Sequence, residues 1–269
     1  MNKLLLTAVV VIFFNIHALA QVVGISNSKL NVYTAYTIDF RTLEVEPSFS
    51  WMSSRSAFDA QGRRLFYSPG KDSLQVSGDV YLRGTLSPMK NLEIGTFITS
   101  NLSSVSLGMK YLFWQNTQSA LAFISGVNWS GKYKAIWSYH AGPGPEARIT
   151  AYACGLVYSH QISDRFSWDT DIQYQKTISG GRSYLDDSFV NSELGYYIMK
   201  QLQLAGGFGY HSSYNKIEGS NAYSFTFYPG MTIETGKSYV IILYGAFDLF
   251  GENTEVNRGI NLSITLTFD

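Results

Sequence analysis

The sequence predicts an all-β fold, a transmembrane up-and-down antiparallel β-barrel of about 12 strands. Three observations predict it. Most of the chain after residue 42 falls into segments of about 9–11 residues, in which apolar and polar side chains alternate. The polar side of these segments is small and mostly uncharged. The connections between them are by turns short and long, and their number makes the strand count even.

The chain begins with "MNKLLLTAVVVIFFNIHALAQ": a lysine at position 3, an apolar run from Leu4 to Phe14, and a small-x-small site at Ala18-Leu19-Ala20. Residues 1–20 therefore read as a secretory signal peptide, and the run is short for a membrane-spanning helix. No cysteine stands at the cleavage point, which argues against a lipid anchor. An exported chain that crosses a membrane with strands belongs in the bacterial outer membrane, with outer-membrane lipid and the barrel-assembly machinery as expected partners. Residues 21–42, containing "VVGISNSKLNVYTAYTIDF", are expected to form a periplasmic leader; a piece of strand or a partial plug of the lumen are the alternatives. Residues 43–269 make the barrel domain.

The strands follow in order. Leu43, Val45, Pro47, Phe49 and Trp51 oppose Glu44, Glu46, Ser48 and Ser50. Leu74, Val76, Val80 and Leu82 oppose Gln75, Ser77, Asp79, Tyr81 and Arg83. Val105, Leu107, Met109, Tyr111 and Phe113 oppose Ser106, Gly108 and Lys110, and Phe166, Trp168, Ile172 and Tyr174 oppose Ser167, Asp169, Asp171 and Gln173. The theme repeats near 190–198, 202–210 and 223–233. The chain closes on "GINLSITLTFD", whose Ile260, Leu262, Ile264, Leu266 and Phe268 alternate with Asn261, Ser263, Thr265 and Thr267. This strand should present its apolar side to lipid and pair with the first strand near Leu43–Trp51, because a sheet in hydrocarbon must close on itself. A sandwich would carry Lys and Glu on its outer side; here that side is mostly Ser, Thr, Gly, Asn and Gln.

Short turns are expected at 87–91, 115–118, 163–165, 200–201 and 234–237, and a short upper connection at 100–103. Longer loops are expected at 59–72, 140–146, 180–187, 211–221 and 251–257. The short turns and both termini are assigned to the periplasm and the long loops to the cell exterior. Aromatics gather toward both strand ends, with Tyr111, Trp114, Phe166 and Phe268 on the turn side and Trp51, Trp129, Tyr174 and Tyr210 on the other. Two such belts fit the two membrane interfaces.

Composition narrows function. Charged residues are only 15% of the chain, against about 25% in ordinary globular proteins. Net charge is zero, which excludes the basic face a nucleic-acid partner needs. One cysteine, Cys154, allows no internal disulfide. No His, Cys and carboxylate spacing suits a metal, and no cofactor motif is present. "YHSSYN" puts His211, Ser212, Ser213 and Asn215 together, but sequence neighbours rarely hold triad geometry, so no catalytic residue is assigned and the chain reads as a non-enzyme.

"NLEIGTFI" at 91–98, "SLGMKYLF" at 106–113 and the aromatic-Asp-x-x-Gly turn in "FDAQGRRL" at 58–65 resemble a family of bacterial outer-membrane barrels named for the meta-pathway of phenol degradation and described as transporters. The similarity covers the first half of the barrel. It implies passage of small molecules, including apolar or aromatic compounds, and supplies no catalytic residues.

The inner wall is where function should lie. The strand register turns Glu44, Glu46, Asp79, Arg83, Glu93, Lys110, Asp169, Asp171 and Glu193 inward, with Lys132 and Lys134 beside them, as lumen-lining residues. Opposite charges at similar depth are expected to pair in an acidic constriction near the periplasmic side. The expected function is an outer-membrane channel or passive transporter, porin-like, for a small-molecule solute. An outer-membrane lipid-modifying enzyme and a filled structural or surface-interaction barrel are the alternatives.

Overall fold

The computed structural model describes residues 22, 25–26, 30–67, 74–100, 102, 104–130, 149–179, 182–216, 219–235 and 238–268. The signal peptide and the proposed loop at 140–146 lie outside them. The strands are β1 (Leu43–Phe58), β2 (Arg64–Phe66), β3 (Gln75–Met89), β4 (Leu92–Thr99), β5 (Ser104–Gln115), β6 (Ser119–Ser130), β7 (Ile149–Gln161), β8 (Phe166–Ser179), β9 (Arg182–Met199), β10 (Leu202–Asn215), β11 (Ser220–Thr235), β12 (Tyr239–Glu252) and β13 (Thr254–Phe268). β2 has three residues and adds only to the far end of β1. The other 12 strands pair each with its neighbour, all antiparallel, and β13 returns to β1.

That closing ladder runs from Leu43↔Phe268 to Trp51↔Ile260 and beyond, the pairing expected of the last strand. Closure leaves the 12 barrel strands without a free edge, each with a partner on both sides. The alternation read from sequence sets the register, since a slip of one residue would exchange the two faces. Phe49, Val80, Leu82, Leu107, Ile172 (61% exposed), Leu194, Leu262 and Ile264 all point out, while Ser50, Arg83, Ser106, Asp171, Glu193 and Thr265 are buried. Burial is inverted relative to a water-soluble protein. A continuous apolar outer surface of this extent is stable only against lipid.

The tight turns match expectation at one end of the barrel, where β3–β4, β5–β6, β7–β8, β9–β10 and β11–β12 connect. Asn91 takes a positive φ (67°) in the first of these, a conformation asparagine tolerates. The opposite end corrects the sequence reading. The stretches 180–187, 211–221 and 251–257 are not long loops: β9 begins at Arg182, β10 runs to Asn215, and only Asn253 separates β12 from β13. The cause is the ladder itself. Beyond the apolar band no side chain needs to be greasy, so the composition turns polar while backbone pairing continues. Lys216–Asp186 (2.7 Å) and Tyr223–Glu252 (3.2 Å) join side chains across these extensions.

The Phe58-Asp59-Ala60-Gln61-Gly62 turn is a structural device. Asp59 Oδ1 accepts hydrogen bonds from the Arg63 N–H (2.8 Å) and the Gln61 N–H (2.9 Å), and Gly62 supplies the left-handed residue (φ +71°). Those donors, that of Arg63 foremost, hold the Asp59 carboxyl below its usual range.

Leu262 pairs with Phe49 on β1 and Leu243 on β12, all three facing out. Leu262→Arg should lower barrel stability by about 2–4 kcal/mol if this position sits at the bilayer midplane. The check is a urea titration of the variant folded into lipid vesicles; an unchanged midpoint would place Leu262 outside the hydrocarbon.

Candidate functional site

The barrel interior is occupied by the chain's own N-terminal segment. Val22, Ile25, Ser26, Leu30, Val32, Tyr33, Thr34 and Ala35 are all buried. The segment expected to lead up to the barrel from outside thus lies within it. Val22 donates its N–H to Gln173 Oε1 on β8 (2.9 Å), and Leu30 donates to Glu193 Oε2 on the adjacent β9 (3.2 Å). A Cβ on Gly230 of β11 would meet Leu30 Cδ2 at 2.7 Å, so glycine at that wall position makes room for the segment.

This segment has no strand ladder of its own among its described residues, and its backbone groups must still be satisfied. The charged residues singled out from sequence do this. Arg83 donates Nη1 to the Ile25 carbonyl (2.5 Å) and Nη2 to Glu46 Oε2 (2.6 Å), with Glu44 3.7 Å away. Glu46 is steadied in turn by Thr265 Oγ1 (2.5 Å) and Ser48 Oγ (3.1 Å). Thr265 belongs to the small polar face of the closing strand, and this contact is what that face is for at this depth.

Lys110 and Glu93 form an ion pair at 2.9 Å with both side chains fully buried. Lys110 Nζ also donates to Ser26 Oγ (2.8 Å), the Ser26 carbonyl (3.3 Å) and the Thr34 carbonyl (3.2 Å). Glu93 Oε1 accepts from the Ile38 N–H (2.8 Å) and from Ser26 Oγ. Across the barrel, Asp171 Oδ2 accepts from the Tyr33 N–H (3.2 Å), and Oδ1 takes Gln173 Nε2 (2.8 Å) and Asn191 Nδ2 (2.9 Å). Ser159 bridges Asp169 to the Ala35 N–H (2.8 Å).

The structure therefore brings Glu44, Glu46 and Arg83 together as one group and Glu93 with Lys110 as another. Asp169, Asp171 and Glu193 stand on a separate wall. The acidic excess is not an open ring: carboxylates accept the segment's N–H groups, and cations donate to its carbonyls. Asp79 differs. It is half-exposed, hydrogen-bonded to Tyr81, and is not among the ion-pair partners of Arg83. Lys132 and Lys134 lie outside the described residues.

Sequence reasoning missed the apolar half of the docking surface. Ala120, Ala122, Ile124, Ala151, Ala153 and Val157 on β6 and β7 are buried against Val22, Ile25, Tyr33 and Ala35. Inward apolar residues on a water-filled lumen would stay exposed, so strands apolar on both faces signal a cover. "SALAFISG" carried that signal.

On the side of β9–β13 and β1 a cavity of about 120 Å³ remains, bordered by Asn31 of the segment. His211 is on its wall, 3.0 Å from Asp187 Oδ1 and stacked on Phe189. Ser212 follows on the opposite face of the strand, while Ser213 shares the face of His211, whose Nε2 is turned to Asp187.

No protein-family model and no curated protein matches the chain. Among solved structures, an outer membrane channel from Pseudomonas putida F1 is similar over 89% of this chain and 100% of its own, with a TM-score of 0.62 and 12% identity. The NanC porin is similar over 82% of this chain and 98% of its own, with a TM-score of 0.52 and 8% identity. At these identities the likeness is one of fold: this chain has the architecture of bacterial outer-membrane barrels.

The Glu93–Lys110 pair gives a direct test of the docking surface. Glu93→Ala should cost about 3–5 kcal/mol by stranding a buried ammonium, whereas Glu93→Leu combined with Lys110→Met should recover more than half of the loss. Urea midpoints of the three proteins in detergent measure this; equal losses in the single and double variants would show that the two groups are not coupled.

Proposed function

We propose that this barrel is an outer-membrane channel or passive transporter for small solutes, with its N-terminal segment as the internal obstruction. One observation carries the reading. Besides wall side chains that pair from strand to strand, the interior holds a separate stretch of main chain bound through hydrogen bonds, with a cavity beside it, whereas barrels closed for structure alone are filled by wall side chains. A barrel of 12 strands is wide enough to need such a filling. The fold likeness to a channel and to a porin supports the same reading. Apolar or aromatic solutes, which the family resemblance implies, would find their contact surface on the inner side of β6 and β7 once the segment shifts.

The tightly turned end, with the start of β1 and the end of β13, is assigned to the periplasm. Gly219 lies in the opposite turn with nothing within 4 Å of an added Cβ. Gly219→Cys should react with an impermeant maleimide on intact cells. Labelling that requires rupture of the outer membrane would reverse the orientation.

Passage is tested on the segment rather than on the wall. Tyr33 is a large buried side chain of the segment, so Tyr33→Ala should raise single-channel conductance several-fold in planar bilayers while the barrel stays folded. Glu44, Glu46, Glu93, Asp169, Asp171 and Glu193 outnumber Arg83 and Lys110, so the reversal potential in a salt gradient should show cation preference. A wild type and variant that both fail to conduct would leave a filled structural barrel. Anion preference would keep the channel and discard the charge assignment.

A further inference from the structure

The cavity beside the segment is lined by polar groups set among apolar ones, with Met52, Phe189 and Ala246 among the latter. Asn191 on β9, Ser224 and Thr226 on β11, Tyr244 on β12, and Asn257 and Asn261 on β13 present amides and hydroxyls to it, and Asn31 adds another amide from the segment. Its carboxylate and its imidazole are already engaged. Asp248 Oδ1 accepts from Thr226 Oγ1 (2.5 Å), and its Oδ2 accepts from the Asn257 N–H (2.8 Å) and Asn257 Nδ2 (3.1 Å). His211 is held by Asp187 and by its stack on Phe189, with ring centroids 4.5 Å apart. Asn191, Thr226 and Asn257 spend donors on Asp171 and Asp248, so the neutral groups that offer both donors and acceptors to the space are chiefly Asn31, Ser224, Tyr244 and Asn261.

Two rings complete it. Tyr228 lies over Gly209, where an added Cβ would come within 2.8 Å of the Tyr228 ring and of Asn191 Oδ1. Tyr244 meets Tyr228 edge-on, at 6.0 Å and 76°. The glycine lets the Tyr228 ring rest against the wall and keeps the space open. At about 120 Å³ the cavity has room for several waters or one compact solute, and it is far too small for a lipid chain.

We propose that this cavity is a binding subsite for a small, neutral, polyhydroxylated solute of the size of glycerol or a tetritol. Hydroxyl groups match the wall because each both donates and accepts, as the amides around them do. The C–H face of such a molecule can rest on the tyrosine rings. A hydrocarbon or simple arene of the same volume would leave the wall amides without partners, and a site built for hydrogen bonding rejects the analogue that lacks them. A charged solute would meet a carboxylate and an imidazole that are both already engaged. The proposal deepens the channel reading, on which it rests for the route by which solute arrives; the site itself is testable without transport.

The experiment uses the full mature chain, purified in detergent, with saturation-transfer NMR and calorimetry. The probes are glycerol and erythritol, with toluene and benzoate as contrasts. The polyols should bind, and toluene and benzoate should bind at least tenfold more weakly. Asn261→Leu should weaken polyol binding about tenfold, a loss of about 1.4 kcal/mol. Gly209→Ala, which removes no lining group but pushes Tyr228 into the space, should weaken it similarly. Should either variant misfold, Tyr244→Phe keeps the ring and removes one hydroxyl, and it should weaken polyol binding measurably. Absence of polyol binding, stronger binding of toluene or benzoate, or equal polyol binding by the wild type and all folded variants would each overturn the proposal. Binding without conductance would keep the subsite and remove the channel; conductance without binding would do the reverse.

Discussion

A peptide group buried in a membrane protein must find its hydrogen bond inside the protein. Nearly everything in this structure follows from that requirement. It forces the sheet to close, which is why β13 pairs with β1 from Leu43↔Phe268 to Phe58↔Thr254 instead of ending as an edge. It also governs the N-terminal segment. A non-helical stretch of chain at membrane depth is tolerated only where protein or water satisfies it, and here the wall does so with side chains. Gln173, Glu193, Asp171, Ser159 and Glu93 take N–H groups, and Arg83 and Lys110 reach carbonyls.

The same requirement explains why so many charges stand inside a chain with so few. A hydrogen bond to a charged partner contributes about 1.5–3 kcal/mol, roughly twice a neutral one. Irregular backbone offers donors and acceptors at uneven spacings, and long charged side chains can reach them where a fixed ladder cannot. Burial of each charge is costly alone. The cost is offset because Lys110 has Glu93 and three oxygens of the segment, and Arg83 has Glu46 and a carbonyl. Wall and segment are therefore mutually dependent: without the segment, Lys110 and Asp171 would lose partners that make their burial tolerable.

How much of this could be read from the chain depends on which face a residue occupies. The lipid face was legible, since Leu107, Leu262 and Ile264 sit in a strict alternation that admits one register. The closing pair Leu43–Phe268 followed from it. The extents of the strands were not legible past the apolar band, because Asp186, His211 and Glu252 look like loop residues although they sit in ladders. Inward orientation of Glu46, Arg83, Glu93 and Lys110 could be inferred from period two alone. Their partners could not, because the segment that supplies them is 84 residues from Lys110 in sequence and carries no periodic pattern. Only the doubly apolar strands β6 and β7 hinted that something covered the inner wall.

The two inner walls are unlike, and the difference decides where space remains. Against β5–β7 the segment lays Val22, Ile25, Tyr33 and Ala35 onto alanine, isoleucine and valine, a dry contact that gains from close packing. Along β9–β13 the wall above Glu193 carries amides, hydroxyls and tyrosines among its apolar residues; Leu30 of the segment reaches it at Gly230, and beyond that contact the cavity remains. A segment free to settle anywhere in a uniform lumen would have no preferred side. Here apolar burial draws it to one wall, charge-assisted hydrogen bonds fix its backbone, and the polar wall is left facing the remaining cavity. An open space beside a fixed obstruction is thus a consequence of how polarity is divided among the inward positions of the strands.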